Sequence, residues 1–295
     1  MNSIFSRTLK ALCAVMAAAL LSACGGASST VAPFHPTRVV GLGDGYNDAT
    51  ATVRETGSTT GTVVEQVAAY FGQSNVVNKG TAQARIRDLS SQITQVGSFS
   101  SGDLVVITVG TFDVINGATP ATEAQTLVTQ IQRIKTAGAK HILIMPVLEV
   151  SRTPWGRSTT PTFDSTADVT HGGGHTNAFN SEVLSALNIA FGGQSPNTVI
   201  YANAGLSPLS TLFLTATSVT TYSPFTDTGY NGTTAGTTPA CGSATVSSFA
   251  GCVAGAGGVS TSYTTMLFAN GIHLTPAGNR WVAQYLYNAT AQGWR

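Results

Sequence analysis

Two stretches of this chain, DLVVITVG at 103–110 and HILIMPV at 141–147, are apolar almost without interruption and dense in β-branched residues. A strand with one wet face alternates apolar and polar side chains, so an unbroken run has to be covered on both faces. Strands of that kind belong to parallel sheets sandwiched between crossover helices. The pattern predicts strands at Arg38–Leu42, Asn75–Asn78, Asp103–Thr108, His141–Pro146 and Thr198–Tyr201. Between them, helical spacing marks Val63–Phe71, Glu123–Ala137, Asn177–Phe191 and Pro276–Ala291. The third-listed strand is followed by the clearest helix, with Ala124, Leu127, Val128, Ile131 and Ile134 on one face. Pro276 suits a first helical turn and Thr275 a cap. The expected fold is therefore a three-layer α/β/α domain on a five-stranded parallel sheet. Two long stretches, 150–176 and 204–271, are rich in Gly, Thr, Ser and Pro and break the periodicity. In such a fold they would border the carboxyl edge of the sheet, where ligands bind.

The first 23 residues stand apart from this pattern. Arg7 and Lys10 precede an apolar stretch from Ala11 to Leu21, the layout of an export signal. That stretch is short of the ~20 residues a spanning helix needs. Leu21-Ser22-Ala23-Cys24 resembles the bacterial lipobox, which implies cleavage before Cys24 and lipidation of its thiol. An ordinary secretory signal with an incidental cysteine is the alternative. Gly25 and Gly26 follow instead of an aspartate, so the implied address is the outer membrane, facing periplasm or cell exterior. The expected organisation is a signal peptide at 1–23, a lipidated N-terminus and tether at 24–36 and a single domain at 37–295.

Cleavage would leave 12 basic and 13 acidic residues and no basic tract, so nucleic acid is excluded as a partner. Two cysteines then remain beyond Cys24. Cys241 and Cys252 flank CGSATVSSFAGC, and an oxidising compartment predicts a disulfide between them; inert thiols are the alternative. No second cysteine or histidine pair lies close enough in sequence to suggest zinc.

The chemistry is concentrated in four segments. GDGYND (43–48) follows the first strand, NKGTAQAR (78–85) the second and GTFD (110–113) the third, and NGIHLTPAG (270–278) precedes the last helix. In order and placement these resemble the blocks of the SGNH/GDSL hydrolase family, whose flavodoxin-like fold cleaves esters. In that family the blocks supply a nucleophilic serine, a glycine, an asparagine and an Asp-x-x-His pair. Gly43, Asp44, Asp48, Gly110, Asp113 and His273 match. Gly45 stands at the serine, Gln83 at the glycine, Phe112 at the asparagine and Asn270 at the aspartate.

The resemblance implies ester hydrolysis in a groove formed by Gly45, Gln83, Phe112 and His273, without cofactor or metal. These substitutions argue against that reaction. Gly45 has no atom with which to attack a carbonyl, and losing a serine nucleophile costs about 10⁶-fold in turnover. Phe112 removes an oxyanion donor of a kind each worth on the order of 10²–10³ in rate. Asn270 can orient His273 but carries no charge and can select the other tautomer. A relocated nucleophile would have to be a nearby hydroxyl, Tyr46 or Thr111. There is no G-x-S-x-G elbow. HGGGH (171–175) reads as a solvated loop rather than a metal site, and Asp48 and Asp113 as turn-fixing residues rather than ligands with Asp44. GLGDG (41–45) is not a dinucleotide fingerprint, and its aspartates would repel a pyrophosphate. The implied role is a lipid-anchored, non-catalytic protein that binds an acyl ester, an acetylated glycan or an envelope protein. A hydrolase with a non-standard nucleophile and a purely structural envelope role stand open beside it.

Overall fold

The computed structural model describes residues 33–48, 61–150, 153, 155, 174–193, 198–202, 267–291 and 294. The expected export signal, Cys24, the expected Cys241–Cys252 disulfide, His171–Gly173 and most of the second long insertion lie outside the described residues.

Five parallel strands form one sheet in the order β2-β1-β3-β4-β5. They are β1 (Arg38–Gly43), β2 (Val76–Asn78), β3 (Asp103–Thr108), β4 (His141–Met145) and β5 (Val199–Tyr201). All five strands predicted from apolar runs are present, with ends displaced by a residue at most. Every residue of β3 is buried, as its lack of alternation requires. The chain reverses spatial order after β2, crossing back over β1 to β3, and so opens a crevice at the carboxyl ends of β1 and β3.

Among the described residues, six helices flank the sheet: α1 (Val63–Tyr70), α2 (Leu89–Val96), α3 (Thr111–Ile115), α4 (Pro120–Thr136), α5 (Gly174–Phe191) and α6 (Pro276–Thr290). Alternate strand residues feed two separate cores. Val40, Leu42, Val105, Ile107, Ile142 and Ile144 pack against α2, α4 and α5. Val39, Leu104, Val106 and Leu143 pack with α1 and α6 on the opposite face. This is the α/β/α sandwich expected from the sequence.

Two differences from the sequence reading matter for the site. The first insertion was expected to run to residue 176, but α5 already begins at Gly174, so the last part of HGGGH is helical. Helices α2 and α3 were not anticipated. Helix α2 turns a polar residue, Gln92, into the interior, and α3 is only five residues long, within the third block.

Caps fix the helices nearest the crevice. Thr275 Oγ1 accepts from Gly278 N at 3.1 Å, with Pro276 at the first helical position. Thr62 and Glu65 form a reciprocal capping box at the start of α1. Replacing Thr62 by alanine should lower stability by about 1 kcal/mol, measured by urea denaturation. An unchanged midpoint would mean that packing of α1 on α6 alone holds this end.

Candidate active site

The turn after β1 is locked from several sides. Gly43 adopts φ +120°, and a side chain there would meet the Thr108 carbonyl at 2.0 Å. Gln92 of α2 clamps the same residue, accepting from Gly43 N at 2.7 Å and donating to Gly43 O at 2.9 Å. Asn47 donates to the carbonyls of Leu42 and Val106 and accepts from Val64 N at 2.9 Å. The turn thus joins β1, β3 and α1. Asp48 Oδ2 accepts from Ala82 N at 3.0 Å, drawing the second block against the first. Asp113 accepts from Ile86 N at 3.0 Å and pairs with Arg85 at 3.2 Å. Both aspartates therefore fix backbone, as their placement in the sequence suggested.

Asp44 is fully buried. Its Oδ1 accepts from Tyr46 N at 3.3 Å. The Thr108 and Thr111 hydroxyls face the carboxyl, yet Oδ2 makes no hydrogen bond of normal geometry among the described residues. Burial, reinforced by the nearby charge of Asp113, pushes its pKa up to about 8, so Asp44 is an uncharged acid at neutral pH.

The fourth block forms a tight reversal between Phe268 and Leu274, closed by Ala269 N donating to His273 O at 2.8 Å. Asn270 Oδ1 accepts from the backbone N–H of Ile272 at 2.9 Å and of His273 at 2.8 Å. Those two donors fix which end of the amide is oxygen. The same Oδ1 lies 3.2 Å from His273 Nδ1, which must therefore carry the proton. Asn270 thus orients the ring and selects the tautomer with its lone pair on Nε2, not the other form that an amide can also select.

His273 is 2% exposed. Its ring is flanked by Tyr46, with centroids 5.4 Å apart, and by Phe112 at 6.0 Å. Burial in this aromatic setting lowers its pKa to about 3, so the imidazole is neutral across the physiological range. Nε2 points at position 45: a Cβ built on Gly45 would lie 2.2 Å from Nε2 and 2.7 Å from Cδ2. The imidazole occupies the space that a nucleophile's side chain would need.

Gly45, Phe112, Asn270 and His273, from the first, third and fourth blocks, therefore lie together. Gln83 does not contribute its side chain, which is exposed. Its backbone takes φ +59°, a conformation that costs a non-glycine residue about 1–2 kcal/mol, so the shape of the second block survives its glycine. Neither candidate hydroxyl has the arrangement of a nucleophile. Tyr46 donates to Ile272 O at 3.1 Å, and Thr111 faces Asp44. Gln92 was not legible from the sequence, since a glutamine on a short helix looks like a solvated residue.

The parallel strand order and the crevice at the carboxyl ends of β1 and β3 define an open α/β/α architecture. The sequence profile of the GDSL-like Lipase/Acylhydrolase family matches residues 39–171, from β1 through the first three blocks. Over those residues the chain is similar to GDSL-like lipases and acylhydrolases. No curated protein matches the sequence. Among solved structures, it is similar to a member of the lipolytic G-D-S-L family from Veillonella parvula DSM 2008. Identity there is 15%, with 85% of this chain and 96% of that chain covered and a TM-score of 0.47. An acetyl xylan esterase is similar at 15% identity, covering 85% of this chain and 98% of its own, with a TM-score of 0.49.

Proposed function

We propose that the protein is a lipid-anchored envelope protein whose GDSL-like domain has given up serine-esterase chemistry and serves to bind a ligand or partner. One observation carries the loss of catalysis: His273 fills the space beside Gly45 that a serine side chain would occupy. Attack on an ester would require a hydroxyl between imidazole and substrate, and the ring stands in its way. Phe112 adds an apolar wall in place of an oxyanion donor. The export and lipidation reading rests on the lipobox-like sequence ending at Cys24. An acyl ester, an acetylated glycan or an envelope protein fits as ligand, given the ester-cleaving ancestry of the fold.

A second reading, a slow hydrolase using another nucleophile, draws on the His273 tautomer, which keeps Nε2 as a proton acceptor. The two are separated by assaying the purified chain with short-chain nitrophenyl esters and acetylated sugars and labelling it with a fluorophosphonate. The expected result is neither turnover nor label. Turnover that disappears in a folded His273→Ala variant would overturn the non-catalytic reading.

A further inference from the structure

The amino edge of the sheet, opposite the Asp44–Asp48 turn, differs in chemistry from the carboxyl edge. Phe34, where the compact unit Phe34–Arg295 begins, stacks on His141 at the start of β4 with centroids 3.5 Å apart. Trp294 stands edge-on to both. The aromatic series continues from Phe34 to Phe71 at 6.5 Å, to Tyr287 at 4.9 Å and to Tyr70 at 5.4 Å. Phe34, Phe71, Tyr287 and Tyr70 are each only partly buried.

The charges also differ between the edges, with Lys79, Arg85 and Arg87 lying among the acids of the carboxyl edge. Lys140, just before β4, is exposed, and the end of α4 brings Lys135 near enough for the two ammonium groups to repel. Among the described residues the acid at this edge is Asp103, and it is ion-paired with Arg38. Asp44, Asp48, Asp88, Asp113 and Glu149 lie at the carboxyl edge instead, with Glu65 and Glu123 in the first helical turns that face it.

We infer that the aromatic and basic amino edge docks on an anionic phospholipid surface, leaving the crevice at the carboxyl edge turned toward water. Amphipathic aromatic rings suit the headgroup layer, and lysines are drawn to anionic lipid. Chain length makes the same edge the accessible one. Cys24 precedes Phe34 by ten residues, so a lipid there keeps the amino edge within roughly 35 Å of the membrane. This last step rests on the lipid-anchor reading proposed above; the aromatic and charge distribution does not.

The test uses the full chain carrying Cys24→Ser, which removes the acylation site, and co-sedimentation with vesicles. One set is pure phosphatidylcholine and the other phosphatidylcholine and phosphatidylglycerol in equal parts. Binding to the anionic vesicles should exceed binding to the neutral ones and weaken with added salt. Lys135→Gln with Lys140→Gln should weaken it about tenfold or more, from ~1 kcal/mol for each lysine at the surface. Lys135 also bonds Thr198 at 2.6 Å, so Lys140→Glu at the exposed position serves as the variant that leaves packing alone. Equal partitioning of the parent and Lys140→Glu would overturn the docking face, as would failure to bind either vesicle. The mass of the unaltered chain recovered from bacterial membranes reports acylation at Cys24 separately. Charge-dependent binding without acylation would remove the anchor and keep the face; acylation with charge-insensitive binding would do the reverse.

Discussion

Gly45→Ala should destabilise the domain by about 1–3 kcal/mol, although it adds a single methyl group. The added carbon would lie 2.2, 2.7 and 3.0 Å from three atoms of the His273 ring. The ring cannot retreat freely, because Asn270 holds Nδ1 and the rings of Tyr46 and Phe112 stand on either side. If that clash is the cause, it vanishes when the ring is removed. In a His273→Ala background, Gly45→Ala should cost nothing further, giving a coupling energy as large as the original loss. Denaturation midpoints of the four proteins measure it. A cost that persists without His273 would place the strain in the turn's backbone and sink the interpretation. The same geometry governs any attempt to restore catalysis. Gly45→Ser alone should be destabilised and inert toward nitrophenyl esters. Combined with Phe112→Asn, which clears room beside the imidazole, and Asn270→Asp, which restores its charged partner, it should become detectably active. Equal activity in the single and triple variants would contradict these roles.

The legibility of this structure in its sequence divides along physical lines. Strands β3 and β4 were readable because full burial leaves no polar residue to interrupt them, and α4 because five apolar residues share one face. Helix α2 was not, since its buried Gln92 is satisfied by the backbone of Gly43, a partner 49 residues away in sequence. The convergence of Gly45, Phe112, Asn270 and His273 was readable from block order. What no spacing revealed was how closely the imidazole approaches Gly45, because a missing side chain leaves a gap whose filling depends on tertiary packing. The tautomer of His273 was likewise set by two backbone N–H groups that anchor the Asn270 amide.

Stability should fall as the pH is raised from about 6.5 to 8, and Asp44 should be the reason. Its folded pKa, about 8, lies above its ordinary 3.8, so the native state holds a proton that the unfolded chain has released. A group of this kind contributes fully below pH 3.8, and the contribution is lost as the pH rises through about 8. Asp113, raised by burial to about 6, acts in the same sense over a lower range. His273 acts in the opposite one. Its folded pKa of about 3 lies below 6.5, so its contribution is complete above pH 6.5 and is lost as the pH falls toward 3. The two aspartates and the histidine therefore oppose one another between pH 3.8 and 6. Above 6.5 Asp44 alone of the three changes charge differently in the two states. The slope for one proton is about 1.4 kcal/mol per pH unit, so the loss from 6.5 to 8 should be on the order of 1–2 kcal/mol. Asp44→Asn isolates the cause. The amide keeps an oxygen for Tyr46 N and presents hydrogens toward Thr108 and Thr111, as the protonated acid does. That variant should match the parent only near pH 3.8, already be the more stable protein at pH 6.5, and hold its urea midpoint from pH 6.5 to 8. A parallel decline in both proteins would assign the pH dependence to another group and return Asp44 to an ordinary carboxylate.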